Sequence, residues 1–546
     1  MQKIGLFGAK SLAFMAIFVG ALFQFWDLNS DIWFILNSGR YVMANGIPYT
    51  EPLAMHQGLD YVMEQWLTSV LFWNIYDCFG ADGLLAFTFL VGCLLLYAYY
   101  RLCSFVGNSS SALLLVMDIG AVSCPFFLTT RPQIFSTLFF VIEIYFLERY
   151  VKSAKKKFLV PLVVMSIILI NLHAALWPML LINLFPYTIV PYLSKYIPAE
   201  YAVNYNVSPI LKTALGIFLC GFLNPYGFDA MSFVFRSFDP KIHGQIHEVF
   251  PSSFSNVPGI IFVSILLIVV GVISRFKMPA QYILLTVMTG IMGLMTIRSM
   301  FIFLFIGTLP LAYAMKNRNV QLNSESAISP KILALTVIVL MAWIIYNTPS
   351  FEIPLPVMIY FSLASLAFLA YFFFYSVDDK RFSMEIPSLR IKYSIALFVI
   401  LIPICFFSYY KWAHNDNYGE HLKPVFDYLS EHENKEEVVL WTGFNTGAYA
   451  GFRGFKYYVD ARPEVFAPSN THIEKDIIGE YFNLINGKIF YKDFFANYNF
   501  THVLVCKGDR LLRLFLAYDN DFDLIYEMKG DGFDDVYRLY RINTRK

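Results

Sequence analysis

Apolar runs long enough to cross a bilayer, about 17 to 25 residues, recur along the chain between short polar breaks. They centre on 11–26, 83–105, 111–128, 133–150, 158–173, 176–193, 209–223, 259–274, 280–297, 299–315, 330–347, 355–376 and 393–410. That makes about thirteen spanning helices. Between the first two runs the pattern becomes amphipathic. Residues 30–44 and 60–77 read as helices lying at the membrane interface, parted by the breakers Asn45-Gly46-Ile47-Pro48-Tyr49. If the segment from Phe25 to Arg40 is helical, Asp27 and Asp31 are four apart and share a face, leaving Trp33 and Ile35 to turn toward lipid.

Beyond residue 411 Asp, Glu, Lys and Asn become frequent. The pattern there predicts a helix near 419–432, strands at 438–441 and 456–460, helices around 472–498, a strand at 502–506, a helix around 509–518 and a strand pair at 523–528 and 535–542. The expected fold class is an α-helical polytopic membrane protein carrying a carboxyl-terminal α/β domain. Residues 1–411 would form the transmembrane module, with the first external loop at 27–82, and 412–546 the extracytoplasmic domain.

Composition agrees with a membrane protein. Hydrophobic residues make up 57% and charged residues 15%, where a soluble globule has about a quarter charged. A net charge of +1 gives no bulk attraction to nucleic acid. Local charge sets the orientation. Lys3 and Lys10 precede the first run; Lys152, Lys155, Lys156 and Lys157 follow the fourth; Arg275 and Lys277 follow the eighth; Lys316 and Arg318 follow the tenth; Lys380, Arg381, Arg390 and Lys392 follow the twelfth. All fall on one side, which the positive-inside rule assigns to the cytoplasm. The expectation is a multi-pass cell-membrane protein with a cytoplasmic amino terminus. A cleaved signal is the alternative for the first run, but no small-x-small site precedes Phe25, and Trp26 and Asp27 follow at once.

The same topology gathers the unusual polar residues on the outer face. Asp27, Asp31, Glu51 and Glu64 lie in the first loop, Arg131 in the second within Thr129-Thr130-Arg131-Pro132-Gln133, and His173 after Asn171-Leu172. His243-Gly244-Gln245-Ile246-His247-Glu248 lies in the fourth, and Arg298 between the ninth and tenth runs. Ionisable groups beside embedded helix ends are costly unless they face a cavity, so one outward pocket is expected.

Other chemistry is poorly supported. The seven cysteines form no Cys-x-x-Cys pair. Neither a Gly-x-Gly-x-x-Gly turn nor a phosphate-binding loop is present. Asp519-Asn520-Asp521-Phe522-Asp523 resembles the start of a calcium loop, but Leu524 stands where glycine is needed. The segments 441–449 and 459–464 are glycine-punctuated or turn-like after strands and could present backbone amides to a ligand; a structural turn reads equally well. His243, His247 and Glu248 are compatible with a metal or with substrate, though the set lacks the Glu of a His-Glu-x-x-His site. These residues require no cofactor, and a divalent cation is compatible with them.

A first span ending in acids, Asp31 nine residues before Arg40, the Gly46-Ile47-Pro48 turn and two interfacial helices before the second span resemble the amino-terminal signature of GT-C membrane glycosyltransferases. That superfamily includes protein O-mannosyltransferases, lipid A aminoarabinose transferases and oligosaccharyltransferase catalytic subunits. Two departures stand out. The Asp-Glu pair of the mannosyltransferase branch is Asp31-Ile32 here, and the Trp-Trp-Asp-Tyr-Gly acceptor motif of oligosaccharyltransferases is absent.

The resemblance implies a sugar donor carried on polyprenyl phosphate and an extracytoplasmic glycan, lipid or protein acceptor. An acceptor hydroxyl needs a carboxylate to take its proton, and Asp31 fits, oriented by Asp27 or Glu64. A departing phosphate needs positive charge, for which Arg131 and Arg298 are candidates, with His173 beside them. An Asp titrates near 4 unperturbed, so Asp31 would be ionised without tuning. Competing readings are a transporter or flippase, which should show two related halves with paired breaks, a non-catalytic scaffold, and a polysaccharide polymerase or ligase.

Overall fold

The computed structural model describes residues 28–107, 129–236, 247–252, 277–314, 419, 421–468, 475–506, 508–528 and 537–543. The runs expected at 11–26, 111–128, 259–274, 330–347, 355–376 and 393–410 lie outside the described residues, as do Asp27 and His243. Helices occupy the other seven stretches.

α1 (Ile32–Asn45) buries every residue from Ile32 to Gly39. Its apolar face is therefore not a lipid face. Trp33 stands edge-on to Tyr449 with ring centroids 4.8 Å apart and also meets Phe452 and Tyr76, while Ile35 is 1% exposed. The expectation that both would face lipid is corrected here: the later segment carrying Tyr449 and Phe452 covers this side of α1.

α2 (Trp66–Val106) consists of two helical segments that meet at a kink, so the second interfacial helix and the second span are separate helices, as expected. The break is Gly80, whose φ of 66° falls where side chains are disfavoured and interrupts the helical path. Asp60 bridges to Thr50, residues 61–63 are irregular, and Glu64 and Gln65 form the turn that leads into α2, so the helix expected from 60 begins at Trp66. α1 crosses α2 with the backbones touching. A Cβ on Gly39 would lie 2.0 Å from the Ser69 carbonyl oxygen, so only glycine fits.

α3 (Gln133–Ser153), α4 (Val160–Leu172), α5 (Met179–Leu193), α6 (Ser208–Cys220), α7 (Ala280–Met295) and α8 (Ile297–Ala314) complete the described bundle. Among the described residues, three helices are long and apolar enough to cross a membrane: Trp66–Val106, Ala174–Leu193 and Ile297–Ala314. The bundle holds polar groups in pairs. Glu143 accepts from Asn183 at 2.9 Å, and Glu148 accepts from Tyr187 at 2.7 Å and Tyr282 at 2.8 Å. Pairing of this kind is what buried carboxylates require in an apolar surround.

The carboxyl-terminal segment folds around a five-stranded sheet ordered β2-β1-β3-β5-β4. In chain order its elements are α9 (Lys423–His432), β1 (Val439–Thr442), α10 (Phe444–Phe452), β2 (Lys456–Tyr457), α11 (Pro463–Phe466), α12 (Ile477–Ile485), α13 (Tyr491–Ala496), β3 (His502–Val505), α14 (Arg510–Leu516), β4 (Phe522–Met528) and β5 (Tyr537–Ile542). β1 runs parallel to both β2 and β3, while β5 is antiparallel to β3 and to β4. The central β3 is buried along its whole length, as the unbroken apolar run Val503 to Val505 demands. The predicted strand 456–460 is only Lys456–Tyr457, because Val459 and Asp460 turn away toward the first loop.

Candidate active site

Residues from six segments surround a cavity of about 390 Å³. Asp31, Phe34 and Ile35 come from the start of α1; Tyr61, Glu64 and Gln65 from the non-helical approach to α2; Arg131 and Gln133 from the start of α3; and Arg298 from the start of α8. Glu248 lies beside them in the short turn His247–Val249. The remaining wall, Phe444, Asn445 and Ala461 to Glu464, belongs to the sheet-bearing segment. Those residues follow the carboxyl ends of the parallel strands β1 and β2, the edge of a parallel sheet where ligands bind.

The centre is a chain of charge. Arg131 Nη2 lies 3.1 Å from Asp31 Oδ2, and Arg131 Nη1 donates to both oxygens of Glu248, at 2.8 and 2.9 Å. Arg131 Nε is buried with no hydrogen-bond partner among the described residues. Asp31 also accepts from Ser30 Oγ at 3.4 Å. Burial pushes the Asp31 carboxyl above its ordinary range, against the opposing charge of Arg131. The expectation of an untuned Asp is corrected accordingly: the side chain is only 21% exposed, and water does not solvate it freely.

Glu64 sits deeper. Its side chain is 13% exposed and accepts from the Ala175 backbone at 3.4 Å, while its own carbonyl accepts from Ala174 N–H at 2.8 Å. Burial pushes Glu64 up to about 8, with the charge of Glu464 adding to the rise. Glu464 is itself raised to about 7, again chiefly by burial. Near neutral pH Glu64 is therefore protonated. It can donate a hydrogen bond but is not a second anion beside Asp31.

His173 is placed differently from its expected role beside the phosphate. It does not line the cavity, is 1% exposed, pairs through Nδ1 with Ser136 Oγ at 2.7 Å and holds Nε2 4.0 Å from Glu64. It stands behind Glu64 as a prop. His247 opens a 3₁₀ turn whose next residue, Glu248, lines the cavity. Arg298 lines the cavity and, among the described residues, has no ion-pair partner. Of the two expected cationic groups, Arg131 is thus committed to carboxylates and Arg298 is available.

Among the described residues no group of three or more His, Cys, Asp or Glu side chains could hold a metal ion. The two carboxylates that converge, Asp31 and Glu248, have a guanidinium between them, so the residues present do not fit a resident divalent cation. The calcium-like loop is also filled: Lys492 Nζ donates to Asp519 at 3.0 Å and to Asp521 at 2.9 Å.

The sequence did not single out Arg462 as an anchor. Its guanidinium is buried and donates to Asp460 at 2.6 Å, to Glu51 at 2.7 Å and to Tyr457 Oη at 3.0 Å. Glu51 in turn accepts from the Leu53 and Ala54 backbones. Arg40 ties the same two regions, donating to the Phe452 carbonyl at 3.0 Å. Phe444 and Glu464 line the cavity from the two segments, 441–449 and 459–464, that were open to either ligand contact or a structural turn, while Tyr481 and Phe482 carried no signal in the sequence.

By sequence the chain matches no family model and no curated protein. Its structure matches several solved ones. The aminoarabinose transferase ArnT from Cupriavidus metallidurans, bound to undecaprenyl phosphate, aligns with a TM-score of 0.57 and 8% identity over 98% of this chain and 97% of that one. The archaeal oligosaccharyltransferase AglB from Archaeoglobus fulgidus, in complex with an inhibitory peptide and a dolichol-phosphate, aligns with a TM-score of 0.55 and 9% identity over 91% of this chain and 69% of that one. The Archaeoglobus fulgidus oligosaccharyltransferase in complex with Zn and sulfate aligns with a TM-score of 0.51 and 9% identity over 96% and 72%. The fold resembles that of the GT-C membrane glycosyltransferases.

Proposed function

We propose that this chain is a membrane glycosyltransferase that moves a sugar from a polyprenyl-phosphate carrier to an acceptor on the extracytoplasmic side, with inversion at the anomeric carbon. The observation that carries the reading is the meeting of Asp31 in one cavity with Arg298, which has no ion-pair partner among the described residues. Structural neighbours solved with undecaprenyl phosphate and dolichol-phosphate support the class of donor.

In this reading the acceptor hydroxyl oxygen attacks the anomeric carbon from the Asp31 side. As the new carbon–oxygen bond forms, Asp31 takes the hydroxyl proton, and the bond to the carrier phosphate breaks with its electron pair going to the phosphate oxygen. That leaving group departs as a stable anion and needs no proton. It needs fixed positive charge, which Arg298 supplies without first breaking an ion pair. The raised Asp31 suits proton transfer, because a base whose pKa is nearer the working pH takes a proton more readily in the transition state. Arg131 holds the carboxylate in place and keeps it ionised. Protonated Glu64 orients substrate by donating a hydrogen bond.

The test is direct. Purified full-length chain, incubated with labelled polyprenyl-phosphate sugars and candidate glycan, lipid and protein acceptors, should release the lipid phosphate in step with labelling of an acceptor. Tight binding of the lipid with no release from any acceptor class would favour a scaffold or flippase instead.

A further inference from the structure

We infer that the Arg131 guanidinium holds the place between Asp31 and Glu248 that a divalent cation would take in a site of this donor composition, so that the cavity is complete without a metal ion. The inference concerns how the cavity is assembled and does not depend on which sugar or acceptor it serves.

Three segments far apart in sequence meet at this point. Asp31 heads α1, Arg131 precedes α3, and Glu248 lies in the turn His247–Val249. Two carboxylates approaching from different loops repel unless something positive stands between them. Hard divalent ions commonly do this, binding carboxylate oxygens at about 2.0 to 2.6 Å. Here the bridging group is planar and carries one charge. Its two terminal nitrogens serve different carboxylates, Nη2 lying 3.1 Å from Asp31 and Nη1 2.8 Å from Glu248. Nη1 is shared between both oxygens of Glu248, and the planar fork lets one guanidinium hold two carboxylates at once.

That arrangement disfavours a cation in two ways. The carboxylates lie on either side of a guanidinium that fills the space between them. Positive charge is also already at hand, from Arg131 between the carboxylates and from Arg298 in the same cavity lining. A guanidinium differs from an ion in consequence as well. It cannot be chelated away, and it fixes a direction for each carboxylate where an ion would let them exchange positions.

The experiment reads metal binding by the full-length chain in detergent or nanodiscs, titrated with manganous chloride and followed by electron paramagnetic resonance. The unaltered chain is expected to show no Mn²⁺ that Glu248→Gln removes. Arg131→Gln takes the positive charge from between the two carboxylates and is expected to gain one such Mn²⁺, bound about tenfold or more tighter than by the unaltered chain, and to lose it in Arg131→Gln/Glu248→Gln. If Arg131→Gln folds poorly, its thermal unfolding with and without Mn²⁺ gives the same answer, since stabilisation by the ion requires the vacated site. Arg131→Lys, which keeps the charge, should stay blind to Mn²⁺. Stoichiometric Mn²⁺ in the unaltered chain that depends on Glu248 would overturn the inference. So would binding by Arg131→Lys, or an Arg131→Gln chain that neither binds the ion nor is stabilised by it. Because the readout is metal binding, the result stands apart from whether sugar transfer is detected.

Discussion

Arg462 Nη1 donates to Glu51 Oε2 at 2.7 Å across 411 residues of sequence, and both side chains are almost fully removed from water. This contact, with Asp460 on the same guanidinium, joins the first loop to the sheet-bearing segment directly beneath the cavity. Removing one partner from such a node leaves buried charge uncompensated. Arg462→Ala is expected to cost about 3–5 kcal/mol, read as a clear fall in thermal unfolding temperature in detergent. Glu51→Gln keeps hydrogen-bonding capacity and should cost less. Equal unfolding temperatures for Arg462→Ala and the unaltered chain would show that the node does not hold the two regions together.

Asp31→Asn should lower sugar transfer by about 10²- to 10⁴-fold, the usual loss when a general base is removed. The fold should survive, because the amide still accepts from Arg131. Single-turnover assays with donor and acceptor both saturating test this. Transfer within about tenfold of normal would take Asp31 out of the role.

Arg298→Ala should raise the donor KM and leave acceptor binding nearly unchanged, since the proposed contact is to phosphate alone. Arg131→Ala should instead reduce the rate at saturating donor, because it releases Asp31 and Glu248. Matching profiles for the two variants would contradict the division of labour between a group already paired and a group held in reserve.

Glu64 gives the pH dependence of stability a sign. Its folded value of about 8 lies above the ordinary 4.5, so the folded state keeps a proton that the unfolded state releases. Stability from this group is fully present below pH 4.5 and falls as pH rises toward 8, above which the loss levels off. Glu64→Gln should remove that part of the decline, making the variant relatively more stable at pH 8 than at pH 5. A melting temperature that declines equally steeply with pH in both proteins would refute the assignment.

Much of the local architecture was legible because it follows from period alone. The unbroken apolar run of β3, the alternation in the last two strands and the helices between them needed no tertiary information. What escaped depended on partners. An apolar stripe looks the same whether it meets lipid or protein, so Trp33 and Ile35 were read as outward-facing, whereas α10 covers Trp33 and Ile35 is buried beside the cavity. Asp31, Glu64, Arg131, Glu248 and Arg298 were gathered correctly by topology. Their division into paired and unpaired groups required distances, and Glu464 required the sheet that delivers it.

The bare contact between Gly39 and the Ser69 carbonyl makes the helix that begins at Asp31 a lever with its fulcrum two turns from the working end, about 12 Å along the axis. Adding one methyl group at position 39 must force the two helices apart, and the displacement is carried forward to the carboxylate. Gly39→Ala is therefore expected to cut turnover sharply while donor affinity at Arg298 holds, measured by kcat alongside lipid-phosphate binding. Reaction rate in this molecule is then governed partly by a residue whose only contribution is to take up no room.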